Sequence, residues 1–191
     1  MLLAGSRLMN APVMSLQTGS ELGRLTGPVI SPDTLAILAY EVEGPLLDKS
    51  PSLLRIADVR EFSDIGIIVD SSDEFVSPED IIKLGDVYKL HFSPIDMKVV
   101  DEKHRKLGRV DGYTIETTGF VIQQLSVKRP FFKSLNDTQL LIHRSQITEI
   151  NDHEIIVHSE AKVPESTATK VAGNYVNPFR KNPQAEHTER R

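Results

Sequence analysis

Through the first 160 residues, apolar positions recur in short runs, many of them alternating with polar ones. Gly, Pro, Asp and Ser separate the runs. A period of two over such lengths is the signature of half-buried strands rather than helices. The runs at 2–9, 13–16, 22–30, 35–43, 53–59 and 65–70 predict strands. Turn chemistry divides them at Thr18-Gly19-Ser20, Ser31-Pro32-Asp33 and Gly44-Pro45, where Pro presets φ and Asp can bond its own backbone. Gly23 and Gly27 inside one run predict a bulge or a bend. The exception to strand periodicity follows Val76. Ser77 can cap, Pro78 suits a first helical turn, and Glu79 and Asp80 favour the positive helix end. Ile81 to Leu84 continue this helix and Gly85 is expected to stop it, within a short helical linker over 78–87.

The pattern then repeats. Leu22-Gly23-Arg24-Leu25 returns as Leu107-Gly108-Arg109-Val110, an offset of 85 residues. The same offset sets Val13 on Lys98, Ser15 on Val100, Gly27 on Gly112, Ile37 on Ile122 and Pro45 on Pro130. Beyond Pro45 the register drifts by about three residues, as an insertion in a surface loop would cause. It recovers with Ile67-Ile68-Val69 against Ile155-Ile156-Val157. Strands are therefore expected at 89–92, 97–100, 107–115, 120–127, 139–144, 147–150 and 155–157, with a loop over 131–138. Repeated short strands with a single helix predict an all-β chain of two tandem small antiparallel barrels. The expected plan is a barrel over 1–77, a helical linker over 78–87, a second barrel over 88–160 and a disordered polar tail over 161–191.

Composition narrows the chemistry. The chain of 191 residues has no Cys, which removes disulfides, thiol chemistry and Cys-based zinc or iron–sulfur sites. No apolar run approaches the roughly 20 residues a bilayer span needs. Met1 to Ala4 has no basic segment before it and Arg7 interrupts the run, so no signal peptide is expected and the expected location is the cytoplasm. Residues 1–85 carry a net charge of −7, residues 86–160 carry −1 and the tail carries +3. The acidic first half is poorly suited to general nucleic-acid binding, which phosphate contacts dominate.

Several stretches resemble a known family. Pro12-Val13, Gly19, Leu22-Gly23-Arg24 and Ser31-Pro32-Asp33, followed by a hydrophobic strand, resemble a PRC-barrel domain. That family includes the photosynthetic reaction centre H subunit and the C-terminal domain of the ribosome maturation factor RimM. Lys98-Val99-Val100, Leu107 to Val110 and the run 120–127 resemble a second copy, closed by Leu141 to Arg144 and Ile155 to Val157. Thr117-Thr118-Gly119 departs from the more acidic turn of the family. The resemblance covers about residues 3–76 and 88–160. It implies a noncatalytic interaction module that binds proteins, and it carries over no site residue.

The candidate chemistry is sparse. No phosphate-binding loop, nucleophile elbow or dinucleotide fingerprint occurs. His143, His153 and His158 are the best metal candidates, but His153 and His158 fall on opposite faces of a strand and no fourth ligand is in view, so surface roles are expected and no metal or cofactor. Asp70 to Glu74 lacks the Gly and terminal Glu of a calcium loop. Asp58, Glu61 and Asp64 have no nucleophile beside them, so no catalytic residue and no enzyme is expected. Lys103, His104, Arg105, Lys106 and Arg109 form the densest basic patch, a candidate contact for RNA phosphates. Phe131-Phe132, where copy one has Leu46-Leu47, is a candidate apolar contact. In the tail, Tyr175, Phe179, Arg180 and Lys181 form an aromatic and basic island that suits a short docking motif. Together these predict a protein-binding adaptor or scaffold. The alternative is an RNA- or ribosome-associated maturation factor similar to RimM.

Overall fold

The computed structural model describes residues 1–45, 47–63, 66–129 and 139–158. The candidates Leu46, Asp64, Phe131, Phe132, Tyr175, Phe179, Arg180 and Lys181, the loop over 131–138 and the tail lie outside the described residues. In the described residues, the alternating runs form strands β1 (Leu2–Ala4), β2 (Pro12–Ser15), β3 (Glu21–Ile30), β4 (Ile37–Glu43), β5 (Ser52–Arg55), β6 (Glu61–Ser63), β7 (Gly66–Val69) and β8 (Phe75–Val76). After helix α1 (Ile82–Lys89) come β9 (Lys98–Asp101), β10 (Lys106–Glu116), β11 (Val121–Lys128), β12 (Gln139–His143), β13 (Ile147–Ile150) and β14 (Glu154–Val157).

The strands pair into two sheets of the same design. One runs β6-β7-β2-β3-β4-β5-β8 and the other β13-β14-β9-β10-β11-β12, with β1 added to β10. Stripped of β8 and β1, the two orders coincide strand for strand. So do the irregularities: β3 and β4 slip between Leu25 and Gly27 and again between Val29 and Ile30, and β10 and β11 slip between Val110 and Gly112 and between Thr114 and Ile115. Gly23 and Gly108 hold one matched position for one reason. A Cβ on Gly23 would lie 2.6 Å from the Glu43 carbonyl oxygen, and one on Gly108 2.3 Å from that of Lys128. The chain is thus mostly β, with one α-helix among the described residues. Strand pairing closes neither sheet on itself: β6 and β8 end the first, β13 and β12 the second. The closed barrels expected from sequence are therefore seen as open, bulged sheets.

Pairing corrects the alignment of the copies in one place. Val13 faces Gly23, while Val99 faces Gly108, so Val13 matches Val99 and not Lys98, and Ser15 matches Asp101 and not Val100. A slip of one residue exchanges the faces of a strand. The offset of 85 would set buried Val13 on exposed Lys98. The matched pair Val13 and Val99 are both wholly buried.

The halves meet through a reciprocal contact. The Ile37 N–H donates to the Phe120 carbonyl at 2.8 Å, and the Ile122 N–H donates to the Leu35 carbonyl at 2.9 Å. Ile37 and Ile122 are matched positions, as are Leu35 and Phe120, so this is the geometry of an isologous interface within one chain. Leu35 and Phe120 both have positive φ, 57° and 48°. That backbone costs a residue with a side chain roughly 1–2 kcal/mol, which the paired hydrogen bonds and burial of both side chains offset. One core results, with Leu25, Tyr40, Leu54 and Ile67 from one half beside Val110, Leu125, Ile142 and Ile155 from the other.

The helical stretch differs from expectation in two ways. Ser77 caps a 3-10 turn at Pro78–Asp80 through a reciprocal capping box with Asp80, and α1 follows it. Gly85 does not stop the helix but lies inside it. A Cβ there would sit 2.3 Å from the Pro78 carbonyl oxygen, so Gly permits the close approach of the two turns. The strand expected at 89–92 is absent: Lys89 ends α1, and Leu90 and His91 return hydrogen bonds to its last turn.

Candidate functional site

The two sheets turn matched outer faces to different surroundings. In the first sheet, Val29, Ala39 and Leu53 point outward and are buried beneath Leu84 of α1, with Val87 and Tyr88 packed alongside. Burying a side chain such as Leu84 contributes about 1.5–3 kcal/mol. The Tyr88 hydroxyl also donates to Glu41 Oε1 at 3.4 Å. The free edge of β5 is covered as well, because β8 pairs with it through Leu53 and Leu54.

In the second sheet the matched outer positions are Thr114, Gln124 and Leu141. Thr114 and Gln124 are half-buried, with the Thr114 hydroxyl covered and Ala4 of β1 opposite it, and no described strand pairs with the far edge of β12. Leu53 is 0 % exposed and its counterpart Leu141 is 56 % exposed. Leu141 faces Ser126, where Leu53 faces Glu41.

Charge separates the faces further. Lys98 faces Arg109 across β9 and β10, and Arg109 faces Lys128 across β10 and β11. Cross-strand partners share a face, so these three cations form a row across three strands. Lys106 joins them, because the irregularity between Lys106 and Gly108 puts Lys106 opposite Val100, on the same side as Lys98. No described carboxylate lies within ion-pair distance of Lys98, Lys106, Arg109 or Lys128. At the matched positions the first half has Pro12, Glu21, Arg24 and Glu43. There Arg24 pairs with Glu21 at 2.8 Å and faces Glu43. Four positions that sum to −1 in one copy sum to +4 in the other.

The basic turn predicted from sequence is only partly available. The Asp101 carboxylate is 1 % exposed. Its Oδ1 accepts from the backbone N–H groups of Lys103 and Arg105, each at 2.9 Å, and its Oδ2 accepts from Arg105 Nε at 2.6 Å. Burial raises the Asp101 pKa, but the bonds from Arg105 and Lys103 outweigh burial and hold it below the ordinary carboxylate value. Arg105 is thus committed to folding the turn. Ser15 fills the matched place in copy one, where its Oγ accepts from the Thr18 N–H. Lys103 stays exposed on the turn, His104 faces Glu154 at 3.4 Å, and Lys106 and Arg109 belong to the row on the sheet. Arg109 Nη1 also donates to the Asp96 carbonyl at 2.6 Å, as Arg24 Nη1 does to Asn10 at 3.1 Å.

The remaining candidates are dispersed. His143 closes a capping box with Gln146, His158 approaches Glu102 at 2.6 Å, and His153 lies exposed in the β13–β14 turn. Among the described residues no three metal-ligating side chains converge. Asp58 is held by Arg55, and Asp70 by Arg60 through two hydrogen bonds of 2.7 and 2.6 Å. No helix of the described residues is long and apolar enough to cross a membrane. The sequence reading missed Lys98 and Lys128, which lie far apart along the chain, and Leu141, which shares its alternating run with core residues. Compared with known proteins, the chain matches no family model and no curated protein.

Proposed function

We propose that the chain is a noncatalytic protein-interaction adaptor built from two PRC-barrel-like modules, with the outer face of its second sheet as the docking surface. The observation that carries this reading is the contrast at Leu53 and Leu141: one copy of the face is sealed by α1, and the other presents a large apolar side chain to solvent. An exposed apolar residue beside a polar rim is the composition of a protein-binding patch. The shared strand order and bulges support two copies of one module, and the short motifs quoted above support the PRC-barrel resemblance. A cytoplasmic setting suits a chain without Cys.

The second reading, an RNA- or ribosome-associated factor, draws on the cations of the second sheet. The two are separated by affinity capture from native cytoplasm with the full chain and with Leu141→Asp, each with and without RNase. The adaptor reading expects a partner that survives RNase and is lost with Leu141→Asp. Retention that RNase abolishes would transfer the assignment to RNA.

A further inference from the structure

The chemistry of the docking surface identifies what it binds. Like charges directly opposite on neighbouring strands destabilise a sheet. Lys98, Arg109 and Lys128 are placed that way, with Lys106 beside them; the one acid among their cross-strand partners is Glu154, which faces Lys98 from β14 and approaches His104 at 3.4 Å, and none faces Arg109, Lys106 or Lys128. Their counterparts show that the fold does not need this arrangement, since copy one keeps the same strands and the same bulges with Glu21, Arg24 and Glu43. The row is therefore specific to the second face, and carboxylates brought by a ligand would turn its repulsion into attraction.

Two further features narrow the ligand. Leu141 lies two residues along β12 from Gln139, which faces Lys128. An apolar anchor thus sits about 7 Å from the end of the cationic row, one pleat repeat away. The outer face also carries no Phe or Tyr among Lys98, Val100, Thr114, Gln124, Ser126 and His143. Single-stranded nucleic acid is held largely by stacking on aromatic rings, and the one ring among these positions is His143, whose Nδ1 is bonded to Ser145 Oγ at 2.8 Å.

We infer that the second sheet docks an acidic segment of a partner protein, whose carboxylates meet Lys98, Lys106, Arg109 and Lys128 and whose apolar side chain packs on Leu141. The inference rests on the adaptor reading and adds the chemistry of the partner.

The test is fluorescence anisotropy on the full chain with a labelled peptide of alternating Glu and Leu, the same peptide with Gln for Glu, and labelled poly(U). The Glu peptide is expected to bind most tightly. The double variant Lys98→Glu/Lys128→Glu should weaken it roughly tenfold or more, about 1.4 kcal/mol, with a thermal melt no lower than that of the wild type. Leu141→Asp should weaken it as well. Equal binding by wild type and the double variant would overturn the inference, because the peptide would then be held elsewhere. Tighter binding of poly(U), lost in the double variant, would overturn it in favour of RNA. A native partner that is lost with Leu141→Asp yet indifferent to Lys98→Glu/Lys128→Glu would leave the adaptor reading standing and remove only the acidic segment.

Discussion

The first and second halves share a strand order, a pair of bulges and a reciprocal seam, and differ where their sheets face outward. One face is finished by its own chain, with apolar Val29, Ala39 and Leu53 sealed under α1. The other exposes Leu141, with Leu2 of β1 farther along the sheet, and is rimmed by cations. Positions that both copies keep are those the backbone requires, such as Gly23 and Gly108. Positions that diverge set how each outer face is covered or left exposed.

The largest effect should separate Leu53 from Leu141. Leu53→Ala removes a wholly buried side chain and is expected to cost about 2–5 kcal/mol in denaturant unfolding. Leu141→Ala should stay within about 0.5 kcal/mol. Similar costs at both positions would show that the second face is covered after all. Next is Gly85→Ala. The added Cβ meets the Pro78 backbone, so α1 must shift off the first sheet, at about 1–3 kcal/mol. The same unfolding series should show it, and a neutral result would mean that α1 is not rigidly seated.

A smaller effect of opposite sign is expected inside the shared core. The Tyr40 hydroxyl is buried and has no hydrogen-bond partner among the described residues, and burial together with Tyr113 pushes its pKa up. Tyr40→Phe should raise stability by about 1 kcal/mol, because an unmade buried hydrogen bond is removed. Smallest is the charge row. Lys128→Glu recreates in copy two the facing pair that Arg24 and Glu43 make in copy one. It should add about 0.2–1 kcal/mol, with the gain shrinking as salt rises.

Both halves also carry a depressed carboxylate. Glu116 is held at about 2 by the Thr118 hydroxyl and by the backbone N–H groups of Thr118 and Gly119, and Asp80 at about 2 by Lys49 and by Ser77. A folded pKa below the unfolded one gives stability that is present at neutral pH and lost as pH falls. Acid unfolding should therefore develop between the ordinary carboxylate value and about pH 2. Glu116→Gln should flatten that limb, read as a smaller pH dependence of the melting temperature. An unaltered limb would mean that the turn does not depend on the carboxylate.

Much of the architecture was legible in the sequence because period-two runs and Gly-x-Leu-type repeats report backbone requirements directly. The long strands β3, β4, β10 and β11 fell close to their expected places for that reason. The alignment of Val13 was not legible. Copy one has one more residue than copy two between Ser15 and Gly23, a difference that strand pairing reveals. Gly85 looked like a helix stop because Gly usually is one, whereas here it admits the Pro78 carbonyl. The basic run at 103–109 was visible, but the commitment of Arg105 to Asp101 was not. The row on the sheet had a usable trace: at the offset of 85, Lys106 falls on Glu21 and Lys128 on Glu43. Charge reversal between copies is the sequence trace of the face proposed as the docking surface.

The most direct measurement is hydrogen–deuterium exchange of the full chain with and without the acidic peptide at saturation. The account predicts new protection in Val121–Lys128 and Gln139–His143, with β4 and β5 unchanged beneath α1. Protection confined to the first half, or absent from both sheets while the peptide is bound, would contradict the claim that the second sheet is the docking face.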